Sequence, residues 1–309
     1  GWKCASLESF PILIKFIDAM KPLSIQIHPD DDYALENENE YGKNEMWYIV
    51  DCEPGAFLYC GLNRKVDKDE LRTRIENNTI TEVLNKIEVK PGDCVFVKAG
   101  TIHAIGAGIL ICEIQQNSNS TYRMYDYDRR DRFGNARELH IDKALDVVDT
   151  EPYVFESYED TTSDSEYTFT DMNIPPVGEA YITASREVSL DNNTSFLEIA
   201  QSVSSSDKVA EVNSDAAGTG IGTYVDNDMA VSIEGDFFRK LLVRCKYFQC
   251  EKYDVYRQAR IAVDTSSFLS IIVISGTAKI SVGADSKGAK AGESFFVTAG
   301  NKTVVIDGA

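Results

Sequence analysis

Histidine is nearly missing from this chain: three residues, His28, His103 and His140, occur among 309. Any site that relies on imidazole must be built from these. Positive charge is also scarce. The 31 Lys and Arg face 50 Asp and Glu, for a formal net charge of -19. Such a surface repels phosphate backbones and anionic headgroups, which argues against nucleic acid and membranes as partners. It also sets a constraint, because an anionic substrate would need a local group of Lys and Arg to overcome the general field. No apolar run reaches the roughly eighteen residues of a membrane-spanning helix. The N-terminal run FPILIKFID is interrupted by Lys15 and Asp18, with Lys21 soon after. It therefore lacks a secretory pattern and reads as a buried strand. Cysteine pairs at CxxC spacing are absent. The seven cysteines form an odd set, mostly inside apolar runs. They read as reduced, small hydrophobes, and the expected location is the cytoplasm. No strand, glycine-rich loop and helix follow one another, which excludes a dinucleotide-binding fold.

What is present is mainly β patterning. LSIQIH, MWYIV, AFLYC, CVFV and ILICEIQ are short runs separated by turn residues. The stretch DKDELRTRIENNTITEVLNKI has helical spacing with Asp67 as its N-cap, and a second helix is expected over 138–148. From about 150 to 236 the composition turns to Ser, Thr, Asp, Glu and Asn, as in SYEDTTSDSEYTFTD. This reads as an acidic connector or insertion with little to bury, holding some strands such as EAYITAS and FLEIAQS. The β pattern returns from Phe237. One stretch is repeated: KPGDCVFVKAGTIH, residues 90–103, returns as KAGESFFVTAGNKT, residues 290–303. The first copy ends on His103 and the second on Thr303. A duplicated β-sandwich or barrel follows. The expected division is a metal-binding module over 1–150, the connector over 151–236 and a degenerate module over 237–309. Both ends are expected to be incomplete, since the chain stops inside the strand-like VVIDGA.

Gln26 and His28 alternate in QIH, so they share a strand face. Glu45 opens the next strand and His103 closes the repeated motif. Together they form an N₂O₂ set suited to Zn²⁺, or to Mn²⁺, Fe²⁺ or Co²⁺. Spacing alone leaves open the plainer reading, in which each is an ordinary polar residue of a β protein. His140, on an expected helix, keeps that reading.

LSIQIHPDD, GKNEMWYIVD, PGDCVFVKAGTIHAIG and EIQQNSNSTYRMYDYDR, in this order, resemble class I mannose-6-phosphate isomerase in its shorter bacterial form, within the cupin superfamily. The resemblance is continuous from about Leu23 to Val148 and weaker from Lys240 to Ala309. It departs at Lys98, where proline is usual. It implies two jelly-roll β-barrel modules with a few helices between strands, and one Zn²⁺ or other divalent ion per chain. The implied ligands are Gln26, His28, Glu45 and His103. The implied reaction interconverts mannose 6-phosphate and fructose 6-phosphate through an enediolate. Arg123 would steady the enediolate or, as a second possibility, grip the phosphate. Glu113 would move the proton, Lys43 would add positive potential, and Ser24 would reach a phosphate oxygen. The second module would carry no metal, since SFLSIIVIS before its motif copy has no Gln-x-His. The partner would be a small sugar phosphate, and the chain a monomer or homodimer. Two rivals remain: a cupin non-haem iron oxygenase and a non-catalytic sugar-binding cupin.

Overall fold

The computed structural model describes residues 10–153, 179–184, 221–226, 229–234 and 237–308. FLEIAQS and most of the acidic stretch lie outside them. The chain forms two compact units, whose described residues fall within Ser9–Glu159 and Asp160–Ala309.

The first unit stacks two sheets. One has the order β1-β8-β3-β6, built from β1 (Ile12–Ala19), β3 (Glu45–Cys52), β6 (Cys94–Val97) and β8 (Ile109–Gln116). The other has the order β5-β4-β7-β2-β9, built from β2 (Ile25–Ile27), β4 (Phe57–Leu62), β5 (Leu84–Glu88), β7 (His103–Ile105) and β9 (Tyr122–Tyr125). Trp47, Val95, Val97, Ile109 and Ile111 of the first sheet pack against Leu58, Cys60 and Ile105 of the second. The outer face of the second sheet is covered by α1 (Asp31–Asn37), α2 (Lys68–Glu76) and α3 (Ile141–Val147), with Ile25, Ile27, Leu71, Ile75, Ala144 and Leu145 in one apolar cluster. β2 thus has two working faces. Ile25 and Ile27 hold the helices, and Gln26 and His28 alternate toward the inter-sheet space.

Three local features differ from the sequence reading. β1 pairs only with β8 and lies at the edge of its sheet; Phe16 is 41% exposed, so the strand is half-buried where the apolar run suggested full burial. The Asp67 cap is present, its side chain accepting from Glu70 N at 2.8 Å. The helix that it starts ends at Glu76, well short of Ile87. Asn78 takes φ +59, a 3-10 turn spans Ile80–Val83, and β5 then pairs with β4. Ile80, Val83 and Leu84 join the same apolar cluster as Leu71 and Ile75, which is why their spacing mimics a longer helix. α1 was not foreseen, although Asp30 caps it by accepting from Tyr33 N at 2.9 Å.

The second unit pairs a sheet of order β13-β14-β10-β16-β19 with one of order β15-β20-β17-β18, and has a separate β11-β12 hairpin. The strands are β10 (Glu179–Ala184), β11 (Ile221–Asp226), β12 (Met229–Glu234), β13 (Phe237–Arg244), β14 (Gln249–Val255), β15 (Gln258–Val263), β16 (Leu269–Val273), β17 (Thr277–Val282), β18 (Asp285–Lys290), β19 (Ser294–Val297) and β20 (Lys302–Gly308). Its core is Val255, Ile261, Val263, Leu269, Ile271, Ile280, Val304, Ile306 and their neighbours. No helix among the described residues is long and apolar enough to cross a membrane.

The repeated motif folds alike in both units. Gly92 and Gly292 take φ +95 and +84, and Gly100 and Gly300 +86 and +150. Lys90 N is bound by Asp93 Oδ2 at 2.9 Å, and Lys290 N by Glu293 Oε2 at 3.0 Å. Gly100 N donates to His28 O, and Gly300 N to Asp264 O. His103 pairs with Gln26, and Thr303 with Ala262; Glu45 pairs with Val97, and Leu269 with Val297. The second unit therefore carries Ala262, Asp264, Leu269 and Thr303 where the first has Gln26, His28, Glu45 and His103. The counterpart of the Gln-x-His strand is IAVD, residues 261–264; SFLSIIVIS matches the Glu45 strand instead.

Leu71 is fully buried between α2 and the second sheet. Leu71→Ala is expected to cost about 2–5 kcal/mol, read by urea unfolding.

Candidate metal centre

Backbone pairing places the key side chains in a row. Gln26 on β2 faces His103 on β7 and Arg123 on β9, so the three project to the same side of the sheet. Glu45 arrives from the opposite sheet. It is held there by a tight segment, in which Lys43 N donates to Pro29 O at 2.9 Å. A Cβ on Gly42 would lie 2.2 Å from the Asp30 carbonyl carbon, so only glycine allows this approach. His28, Glu45 and His103 converge, and their ligand atoms lie within 4.8 Å of one another. His28 Nε2 is 3.4 Å from Glu45 Oε2, and His103 Nε2 is 3.4 Å from Glu45 Oε1. Gln26 Nε2 lies 3.4 Å from His103 Nε2. The amide can turn about its terminal bond to present Oε1 at the same place.

Each imidazole is held by its outer nitrogen. His28 Nδ1 meets Ser120 O at 3.0 Å, and His103 Nδ1 meets Thr101 O at 2.8 Å. A protonated Nδ1 donates to each carbonyl, which turns both Nε2 atoms inward. Burial, followed by the field of His28, pushes the His103 pKa down to about 3. The ring is therefore neutral at ordinary pH. Burial alone would raise the Glu45 pKa. The fields of His28 and then Lys43 outweigh it and hold the carboxyl well below its usual range. Lys43 Nζ stands 2.9 Å from Glu45 Oε2, at ion-pair distance but outside hydrogen-bond geometry. His28 Nε2 and both Glu45 oxygens are buried without a hydrogen-bond partner. Such orphaned atoms are costly unless something binds them. Two inward imidazole nitrogens and a carboxylate suit a divalent cation, so these residues fit a metal.

Ser24, Arg123 and Glu113 sit beside or on β2, β9 and β8. Ser24 is buried next to β2. Arg123 donates through Nη1 to Glu138 O at 2.8 Å, while its Nε is buried and unpartnered. Burial, and then Arg137, lower its pKa. Arg129 and Arg137 both pair with buried Asp126, so the cations gather here despite the acidic whole. Glu113 faces the interior from β8 but is already engaged: Lys15 Nζ lies 2.8 Å from Oε1, and Trp47 Nε1 donates to Oε2 at 3.3 Å. The sequence reading missed Lys15, Gln115 and the linking role of Trp47. Lys15 Nζ also reaches Gln115 Oε1 at 2.5 Å, and the Trp47 ring meets His103 edge-on at 5.4 Å. The alternation of β1 was the one available signal for Lys15. His140 stays out of the centre and accepts from Arg123 N at 3.1 Å. The six described cysteines are free; burial pushes the Cys60 and Cys112 thiols to about 12, and neither belongs to the centre.

A two-sheet β module with a buried His, Glu and His cluster between its sheets has a cupin-type fold. More particularly, the chain resembles mannose-6-phosphate isomerases of that type. Residues 239–309 match the family described as "Mannose-6-phosphate isomerase, cupin domain". Mannose-6-phosphate isomerase ManA of Bacillus subtilis is 50% identical over 143 residues, 46% of this chain and 45% of that protein. The Streptococcus mutans mannose-6-phosphate isomerase is 49% identical over 139 residues, 45% and 44% of the two chains. The chain thus matches less than half the length of these curated relatives. The solved mannose 6-phosphate isomerase of Bacillus subtilis superposes with a TM-score of 0.63 at 29% identity, over 98% of this chain and 76% of that one. A putative mannosephosphate isomerase from Archaeoglobus fulgidus shares the fold, with a TM-score of 0.57 at 17% identity.

The depressed His103 pKa predicts an acid-sensitive metal-free protein. The unfolded imidazole takes up a proton below its ordinary value of 6.5, while the folded one stays neutral down to about 3. Stability present above pH 6.5 should fall as pH drops, with a His103 contribution approaching about 1.4 kcal/mol per pH unit. Urea unfolding of the metal-free protein between pH 6.5 and 4.5 checks this, and His103→Gln should flatten the slope.

Proposed function

We propose that the chain is a metal-dependent isomerase interconverting mannose 6-phosphate and fructose 6-phosphate. The observation that carries this reading is the convergence of His103 Nε2 with His28 Nε2 and the Glu45 oxygens, the last two lacking a hydrogen-bond partner, beside Lys43. The printed names of the relatives supply the substrate. Gln26, His28, Glu45 and His103 would hold one divalent ion, with Zn²⁺ our choice, and the ion would supply Lewis acidity toward the sugar's O1 and O2. The protein's own groups do the rest. Glu113 takes the proton from C2 of the open-chain sugar and returns it to C1 while the O2 hydroxyl proton passes to O1, so the exchange is redox-neutral and passes through a cis-enediolate. Arg123 faces the same space with an unpartnered Nε and steadies the negative charge on that enediolate. Lys43 adds positive potential at Glu45, and Ser24 lies where it can meet a phosphate oxygen. We read the second unit as a metal-free partner module, supported by Ala262, Asp264, Leu269 and Thr303 at the corresponding positions.

A coupled assay on purified protein tests this. Turnover of mannose 6-phosphate should require added Zn²⁺ and stop with chelator, and Arg123→Ala should lower kcat by about 10²-fold or more. Absence of turnover with metal present would sink the isomerase reading. Iron-dependent oxygen consumption would point to the oxygenase alternative, and sugar-phosphate binding without turnover to the non-catalytic one.

A further inference from the structure

The two histidines are anchored differently. His103 leans on Thr101 O, two residues away on the same segment, whereas His28 leans on Ser120 O, 92 residues distant. Its orientation therefore depends on whatever fixes the 117–121 connection between β8 and β9. Gln115 Nε2 donates to Ser118 O at 3.0 Å and Asn117 Nδ2 to Phe10 O at 2.9 Å, and Glu40 holds the two residues that follow Ser118. Glu40 Oε1 accepts from Asn119 N at 2.8 Å and from Asn119 Nδ2 at 3.3 Å, and Oε2 accepts from Ser120 Oγ at 3.3 Å. Next to it, Ser118 Oγ donates to Tyr41 O at 2.7 Å and accepts from Ser120 N at 3.1 Å. Glu40 and Tyr41 belong to the segment that leads through Gly42 into Lys43 and Glu45. Two ligand-bearing regions from opposite sheets are thus tied at one point.

We propose that Glu40 is a positioning residue of the metal centre: it clasps the 117–121 connection so that Ser120 O holds His28 with Nε2 facing Glu45 and His103. The proposal rests on reading the cluster as a metal centre. Glu40 touches none of the ligands, so its effect must pass through Ser120. The carboxylate offers the connection acceptors on both oxygens, and an amide keeps one while its NH₂ can donate to the Ser120 hydroxyl.

The test is Zn²⁺ affinity of the purified chain, by competition with a chromophoric chelator. Glu40→Ala should weaken binding by about 10–100-fold, the usual effect of losing a group that orients a ligand. Glu40→Gln should restore most of the affinity. Leu71→Ala destabilises the helix layer away from the clasp and should leave affinity unchanged. If Glu40→Ala does not fold, Glu40→Asp retracts the carboxylate by one methylene and is expected to weaken binding in its place. Affinity within twofold of wild type in the tested variant would overturn the clasp, as would an equal loss in Leu71→Ala. Wild-type protein that binds no divalent ion would overturn the metal-centre reading itself, and the clasp with it.

Discussion

The first unit is organised around one energetic problem, the Glu45 carboxylate held inside a dry two-sheet core. Burying an ion costs several kcal/mol unless charge and hydrogen bonds compensate. Lys43 compensates in part, at 2.9 Å from Oε2, and the inward nitrogens of His28 and His103 complete the surroundings. The backbone gives way to this arrangement: Gly42 lets its segment pass against Asp30, and β2 turns one face to apolar helices and the other to the ligands. With Glu45 unpaired, the inner ends of β2, β3 and β7 would have no reason to be polar.

The second unit has an apolar residue at the Glu45 position, and its own buried carboxylate, Glu251, lies elsewhere, ion-paired with Arg239 and accepting from Tyr253 Oη at 2.9 Å. Its motif copy keeps the turn glycines and the Lys-to-acid turn bond, yet its interior is closed by Leu269, Val297 and Val304. Leu269 stands where Glu45 does and solves the packing by simple burial. The turn serves folding in both units, and among the described residues the Gln, His, Glu and His set occurs only in the first.

Much of this could be read from the sequence, because alternation and turn residues are local signals. Gln26 and His28 on one face follow from a period of two, and the β strands follow from short apolar runs bounded by Gly and Asp. What could not be read depended on long-range pairing. Ile80, Val83 and Leu84 continue a helical spacing, but a left-handed Asn78 and pairing with β4 make them a 3-10 turn and a strand. Lys15 looked like an interruption of an apolar run until β1 was seen against β8, where it meets Glu113 and Gln115. The anchoring of His28 by Ser120 joins positions too distant in sequence for any periodicity to connect. The same holds for the matching of IAVD to the QIH strand, which only the Ala262–Thr303 pairing reveals.

The duplicated turn also bears on how such a chain changes over time. The residues that make the fold, the positive-φ glycines and the inward aliphatics, are a different set from the four that carry ionic chemistry. Substituting the ligands one by one leaves every strand pairing available, as Thr303 pairing with Ala262 shows. Metal-ligand-type residues can therefore drift in and out of a module like this while selection for folding stays satisfied, and a single chain can hold both outcomes.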